Sequence, residues 1–150
     1  MSLHSYSRCW LHLIWGTLNR EKLLHQEGRK RVSAFLSQYA HSNGIYMSLN
    51  FVNADHVHAL IDLPTNHTIE EVVKLLKGAT SHWINQNRIV EQKFAWGRGY
   101  GVFSVSQSNV AKVAQYIAEQ ETHHRRKTFL EEYRNFIKAY GIQFREEENR

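Results

Sequence analysis

The chain alternates between two periods, one repeating every second residue and one every three to four, and the changes of period mark its elements. Ser7 to Thr17 places Cys9, Leu11, Leu13 and Trp15 on one side and Trp10, His12 and Ile14 on the other. That alternation predicts a strand, and apolar residues on both sides put it at the centre of a sheet. From Glu27 to Ser42 the apolar residues Val32, Phe35, Leu36 and Tyr39 recur at helical spacing, and Asn43-Gly44 supplies a left-handed stop. Ile45 to Val52 reads as a second strand. The short Asn53-Ala54-Asp55 connection turns it into a third, which runs to Pro64 as an antiparallel neighbour. Thr68 and Glu71 form a capping box for a long helix with its stripe at Ile69, Val72, Val73, Leu76, Trp83 and Ile84. An aromatic and glycine-rich stretch, Phe94 to Gly101, leads into a fourth strand, Val102 to Ser106.

Two more helices follow. The first, Asn109 to Lys127, carries Val110, Val113, Ala114 and Ile117 as its stripe, with Tyr116 and Gln120 together beside it. Thr128 with Glu131 caps the last, which bears Phe129, Tyr133, Phe136, Ile137 and Tyr140 and ends at Gly141. The tail from about 145 to 150 is charged and reads as frayed. The order strand, helix, strand, strand, helix, strand is the split arrangement of ferredoxin-like α+β folds, βαββαβ, here with two C-terminal helices added. Right-handed crossovers put the first and third strands at the centre of an antiparallel sheet. With no linker-like stretch, residues 1–150 read as one domain.

The third strand changes the picture from fold to chemistry. His56, His58, Leu60 and Asp62 project from one face of it, and Val57, Ala59, Ile61 and Leu63 from the other. Helices packed on the apolar face would leave the histidine face open to a substrate. Two imidazoles two residues apart on a rigid strand fix two coordination positions for a divalent metal. The same spacing also arises by chance in a chain with ten histidines.

Charge narrows the partners. Nineteen Lys and Arg against fourteen Asp and Glu give a net charge of +5, with a pI near 9.4, so a polyanion is a reasonable partner. Lys74, Lys77, Ser81 and Asn85 share the polar side of the long helix, where a nucleic acid backbone or plain solvent would suit them. Lys112, His123 and Lys127 lie on the side of Tyr116 and Gln120. A single cysteine, Cys9, excludes an intrachain disulfide and a cysteine zinc cluster. No apolar run approaches the ~20 residues that span a bilayer, and the first eight residues lack a signal-peptide pattern, so the expected location is the cytoplasm.

Four blocks in order, Leu13-Ile14-Trp15-Gly16-Thr17, Asp55-His56-Val57-His58, Gly99 to Ser106, and Tyr116-Ile117-Ala118-Glu119-Gln120 followed by His123-His124-Arg125, resemble the single-tyrosine HUH transposases of the insertion-sequence-200-like (200/605) group. The resemblance covers nearly the whole chain and implies that His56 and His58 are metal ligands. It also implies that Tyr116 is the nucleophile and that Gln120 completes the metal site. Thr17-Leu18-Asn19-Arg20 departs from relatives that place a lysine after the Thr. The implied activity is cutting and rejoining of single-stranded DNA at hairpin-bearing element ends through a 5′-phosphotyrosine, with Mg²⁺ or Mn²⁺ and no nucleotide cofactor. Lys74, Lys77, Arg98, Lys112, His123 and Arg125 are the expected DNA contacts. A homodimer is implied in which each tyrosine helix serves the other chain's histidines, in a bacterial or archaeal cytoplasm at the nucleoid. The competing readings are a domesticated relative that processes or only binds repeated palindromes, a replication initiator, and an RNA-binding module. Initiators usually add a helicase domain or a second tyrosine, and RNA-binding sheets expose aromatics where this one has histidines.

Overall fold

The computed structural model describes residues 6–120 and 128–139. They carry β1 (Trp10–Gly16), α1 (Gln26–Ser42), β2 (Tyr46–Val52), β3 (His56–Asp62), α2 (Ile69–Gln86), β4 (Gly101–Val105), α3 (Val110–Ala118) and α4 (Phe129–Ala139). The first unit, Met1–Gln120, holds the sheet, and the second, Glu121–Arg150, holds α4. The strands form one antiparallel sheet in the order β2-β3-β1-β4, so β1 and β3 are central as the crossover argument requires.

One face of the sheet makes the main core. Leu11, Leu13 and Trp15 of β1 and Val57, Ala59 and Ile61 of β3 meet Val32, Leu36 and Ala40 of α1 and Val72, Val73, Leu76 and Ile84 of α2. Each fully buried Leu or Ile contributes about 1.5–3 kcal/mol, so this face dominates stability. The predicted punctuation is present. Gly44 takes φ +71° at the end of α1, where the Ile45 N–H donates to the Ala40 carbonyl at 2.9 Å. At the start of α2 the Thr68 hydroxyl accepts from the Glu71 N–H at 3.1 Å, and Glu71 accepts from the Thr68 N–H at 3.2 Å. Those bonds, the backbone one first, hold the Glu71 carboxyl below the usual carboxylate range.

The opposite face departs from expectation. The register shifts between Met47 and Leu49 on β2, leaving Ser48 as the extra residue, and Leu49 and Phe51 then share the face of His58 and Leu60. The apolar stripe of α3, Val110, Val113, Ala114 and Ile117, packs there with Leu49, Phe51, Leu60 and Val105. The histidine face is therefore covered, not open. Its cover forms because α3 has an apolar stripe to bury and Leu49, Phe51, Leu60 and Val105 offer that stripe an apolar surface.

The end of the tyrosine-bearing helix also moves. The helix expected over 109–127 ends at Ala118, where Glu119 leaves helical geometry at φ −96°, ψ 20°, and residues 121–127 lie outside the described set. α4 begins as predicted, with the Thr128 hydroxyl accepting from the Glu131 N–H at 3.2 Å, while Tyr140, Gly141 and the tail lie outside the described residues. No helix among the described residues is long and apolar enough to cross a membrane.

Candidate active site

β3 positions both histidines by its pleat. His56 lies opposite Gly16 of β1, and His58 lies between Ile14 of β1 and Phe51 of β2. Their rings stand 5.1 Å apart between centroids at 72°, and both side chains are buried. Nearby polar groups settle which atoms face inward. The Asp55 carboxylate accepts a hydrogen bond from Nδ1 of His56 at 2.7 Å. In the neutral ring that proton leaves a lone pair on Nε2, the atom a metal would take. Nδ1 of His58 lies 2.8 Å from Nε2 of His12, and those two rings stack at 5.0 Å and 29°. His58 thus also turns its Nε2 edge away from the strand that orients it.

Two further groups close the site. Asn53, in the β2–β3 turn, donates from Nδ2 to Nε2 of His56 at 3.1 Å and reaches Oε1 of Gln120 at 3.5 Å. One amide N–H₂ therefore sits against two of the lone pairs that the family resemblance implies for a metal. Such a convergence of acceptors on an electropositive group is what a divalent cation requires, and it fits an imidazole-and-amide ligand set. The ring of Tyr116 stands 6.2 Å from that of His58 at 73°. The sequence left undecided whether Tyr116 folds back over its own histidine strand. In the single chain it does, carried there by the packing of α3 on Leu49, Phe51 and Leu60.

The structure thus brings together His56, His58, Tyr116 and Gln120. It adds His12, Asn53 and Asp55, which sequence reasoning passed over as site residues. His12 was legible in part: it shares a face of β1, and an antiparallel β1–β3 pair sets it diagonal to His58. Asn53 carried no signal beyond a turn residue. Of the expected DNA contacts, Lys112 is exposed on α3, whereas Lys74, Lys77 and Arg98 line a groove beside α2, away from Tyr116. His123 and Arg125 lie outside the described residues. For Lys77 the sequence left a nucleic acid backbone and solvent equally open, and the side chain is engaged within the chain instead. Its ammonium donates to the carbonyls of Gly97 at 2.8 Å and Gly99 at 2.9 Å, and partial burial pushes its pKa down.

Comparison with known proteins gives the family. Residues 5–120 match the family model described as "Transposase IS200 like". The ISDra2 transposase TnpA of Deinococcus radiodurans is 29% identical over 114 residues, covering 73% of this chain and 81% of that one. The transposase for insertion sequence element IS200 of Salmonella typhimurium is 26% identical over 123 residues, covering 78% of this chain and 80% of the relative. Among solved structures, a Deinococcus radiodurans chain assigned as a transposase superposes with a TM-score of 0.63 at 29% identity, over 80% of this chain and 97% of that one. A REP-associated tyrosine transposase bound to a REP hairpin gives 0.60 at 13% identity, covering 83% and 74%, a likeness of fold alone. With the family model spanning both histidines, the tyrosine and the glutamine, the chain belongs to the IS200-like transposase family.

Proposed function

We propose that this transposase, acting as one functional domain over 1–150, cuts and rejoins single-stranded DNA at hairpin-bearing element ends with Tyr116 as nucleophile. The observation that carries the reading is the approach of Tyr116 to His58 beside the converging His56 and Gln120. His56 and His58, through Nε2, and Gln120, through Oε1, would hold a Mg²⁺ or Mn²⁺ ion. When bound, such an ion polarises the phosphodiester and draws charge from its oxygens. Tyr116 then attacks phosphorus. Its Oη–P bond forms as the P–O3′ bond breaks, the phenol proton is lost, and the released 3′ oxygen takes one up. The products are a 5′-phosphotyrosine and a free 3′-hydroxyl, which reverse the step on a new end. Asp55 and His12 act by orientation, each holding Nδ1 of one ligand ring. A domesticated relative that only binds palindromes would lack the adduct. Incubation with single-stranded hairpin ends, followed by denaturing gels, separates the two.

Asn53 offers a test of the ion site that does not depend on cleavage. Its N–H₂ competes for two ligand lone pairs, so Asn53→Ala should bind Mn²⁺ more tightly, by up to about tenfold for one displaced hydrogen bond. Titration followed by the electron spin resonance of free Mn²⁺ measures this. Weaker binding would instead make Asn53 a ligand.

Assembly follows from the resemblance, as a homodimer with exchanged tyrosine helices. Exchange of an identical element keeps every contact of the seat and alters only its hinge, here the short stretch from Ser106 to Asn109 that precedes α3. The seat seen within one chain is therefore the seat a partner's helix would use. Co-expressed Tyr116→Phe and His58→Ala chains, each inactive alone, should recover cleavage as a mixed dimer. Verified mixed dimers without activity would place each tyrosine in its own chain's site.

A further inference from the structure

Residues 93–100 are not a loose connection. Asn85 of α2 pairs with the backbone of Phe94 twice, accepting from its N–H at 2.7 Å and donating to its carbonyl at 2.9 Å. Nε1 of Trp96 donates to the Thr80 hydroxyl at 2.9 Å, and Lys77 grips the carbonyls of Gly97 and Gly99. Gly97 in turn lies flat on the end of β1. Its N–H donates to the Gly16 carbonyl at 2.8 Å, and a Cβ there would come within 3.2 Å of the Thr17 carbonyl oxygen. The segment is thereby fixed along α2, and between them runs a groove of about 650 Å³.

The chemistry of that groove is one-sided. Lys74, Lys77, Lys93 and Arg98 line it against a single acid, Glu70. Lys74, Lys93 and Arg98 are exposed, and Tyr100 stands at the rim with 39% of its surface in solvent. Exposed cations recognise phosphates whatever the form of the DNA, but an exposed ring beside them adds binding only when a base face is available to stack. In a duplex stem the base faces are already stacked, so the pairing of Tyr100 with Arg98 favours a single strand.

The backbone that walls the groove is bonded to the strands that carry the active site. Gly97 bonds to Gly16, Gly16 is the register partner of His56, and the Thr17 N–H donates to the Asp55 carbonyl at 2.8 Å. At about 4.8 Å between neighbouring chains, the backbone of Gly97 lies roughly 10 Å from that of His56.

We infer that the groove between α2 and residues 93–100 is a single-strand DNA site, in which Lys74, Lys93 and Arg98 track the phosphates and Tyr100 stacks a base of the strand that continues to the histidine site. This extends the function proposed above, which supplies the substrate class. Lys77 is here a positioning residue that holds the segment in place.

The test uses the full chain and a fluorescent oligothymidine of about ten nucleotides, within the usual span of such sites. Arg98→Glu should weaken binding by about tenfold and make the logarithm of affinity less steep in salt by about one contact's worth. Tyr100→Ala should weaken it by roughly five- to a hundredfold, the range of one lost stack, while Tyr100→Phe binds as the parent does. A duplex of the same length should lose affinity with Arg98→Glu but not with Tyr100→Ala. Parental affinity for the oligothymidine in Tyr100→Ala and Arg98→Glu, or no binding by the parent, would overturn the groove. Covalent adduct formation by the parent chain is scored separately: if it cuts while the groove variants bind normally, only this inference fails. If it never cuts yet the variants lose binding, the groove stands and the proposed reaction fails.

Discussion

Tyr116→Phe is expected to abolish the covalent protein–DNA adduct and all strand cleavage while leaving DNA binding and folding intact. The ring of Tyr116 is half-buried against His58 and the cluster of Leu60, Val105 and Ile117, and phenylalanine keeps that packing. What it loses is the hydroxyl oxygen proposed to bond to phosphorus. Removal of a covalent nucleophile leaves no alternative route of similar rate, so the loss should reach the floor of a gel assay, at least about a thousandfold. Tyr133 lies on α4, next to Phe129 at 5.8 Å between ring centroids, and burial pushes its phenol pKa up, away from ionisation. Tyr133→Phe should therefore keep the adduct. An adduct that persists in Tyr116→Phe would remove the nucleophile assignment.

His58→Ala should abolish cleavage too, and here the structure changes what else is expected. On an open face the substitution would leave the fold untouched. His58 is instead buried, 2.8 Å from Nε2 of His12 and edge-on to Tyr116, so its truncation opens a cavity between β3 and α3. A loss of about 2–4 kcal/mol follows from truncating a buried ring with its hydrogen bond. Urea unfolding, followed by circular dichroism, gives the number. His58→Gln, which keeps volume and a polar end, should recover part of the stability but little of the cleavage. An alanine variant as stable as its parent would mean that the cover of α3 over the histidines is not kept in solution. Loss of cleavage in His58→Ala is thus read beside its folding, and His58→Gln separates the ligand's role from the packing role.

How much of this was legible beforehand depends on the range of the physics involved. The four strands, the two capped helices and the left-handed stop at Gly44 are local: alternation, a Thr-x-x-Glu box and a glycine each act over a few residues. The histidine pair was legible for the same reason, since the pleat aims His56 and His58 to one side wherever the strand is placed. Even the strand order came from sequence, because handedness leaves few ways to join these elements.

What the chain could not show by itself was which surfaces meet. An apolar stripe on α3 demands burial but does not name its partner, and the extra residue Ser48, which puts Leu49 and Phe51 opposite that stripe, leaves no mark in the hydrophobic pattern. Lys77 read as a lysine for a nucleic acid backbone or for solvent because its partners are backbone carbonyls at 97 and 99, contacts that any sequence could offer. His12 and Asn53 became site residues only when a neighbouring strand and a turn placed their polar ends against His58 and His56. The sequence alone determined the elements, their order and the side chains able to do chemistry, because those follow from short-range geometry and residue type. Tertiary structure decided the covered histidine face, the seat of Tyr116 and the clamped basic groove, because each arises from contacts between residues far apart in the chain, where burial and hydrogen bonding choose among surfaces that look alike in one dimension.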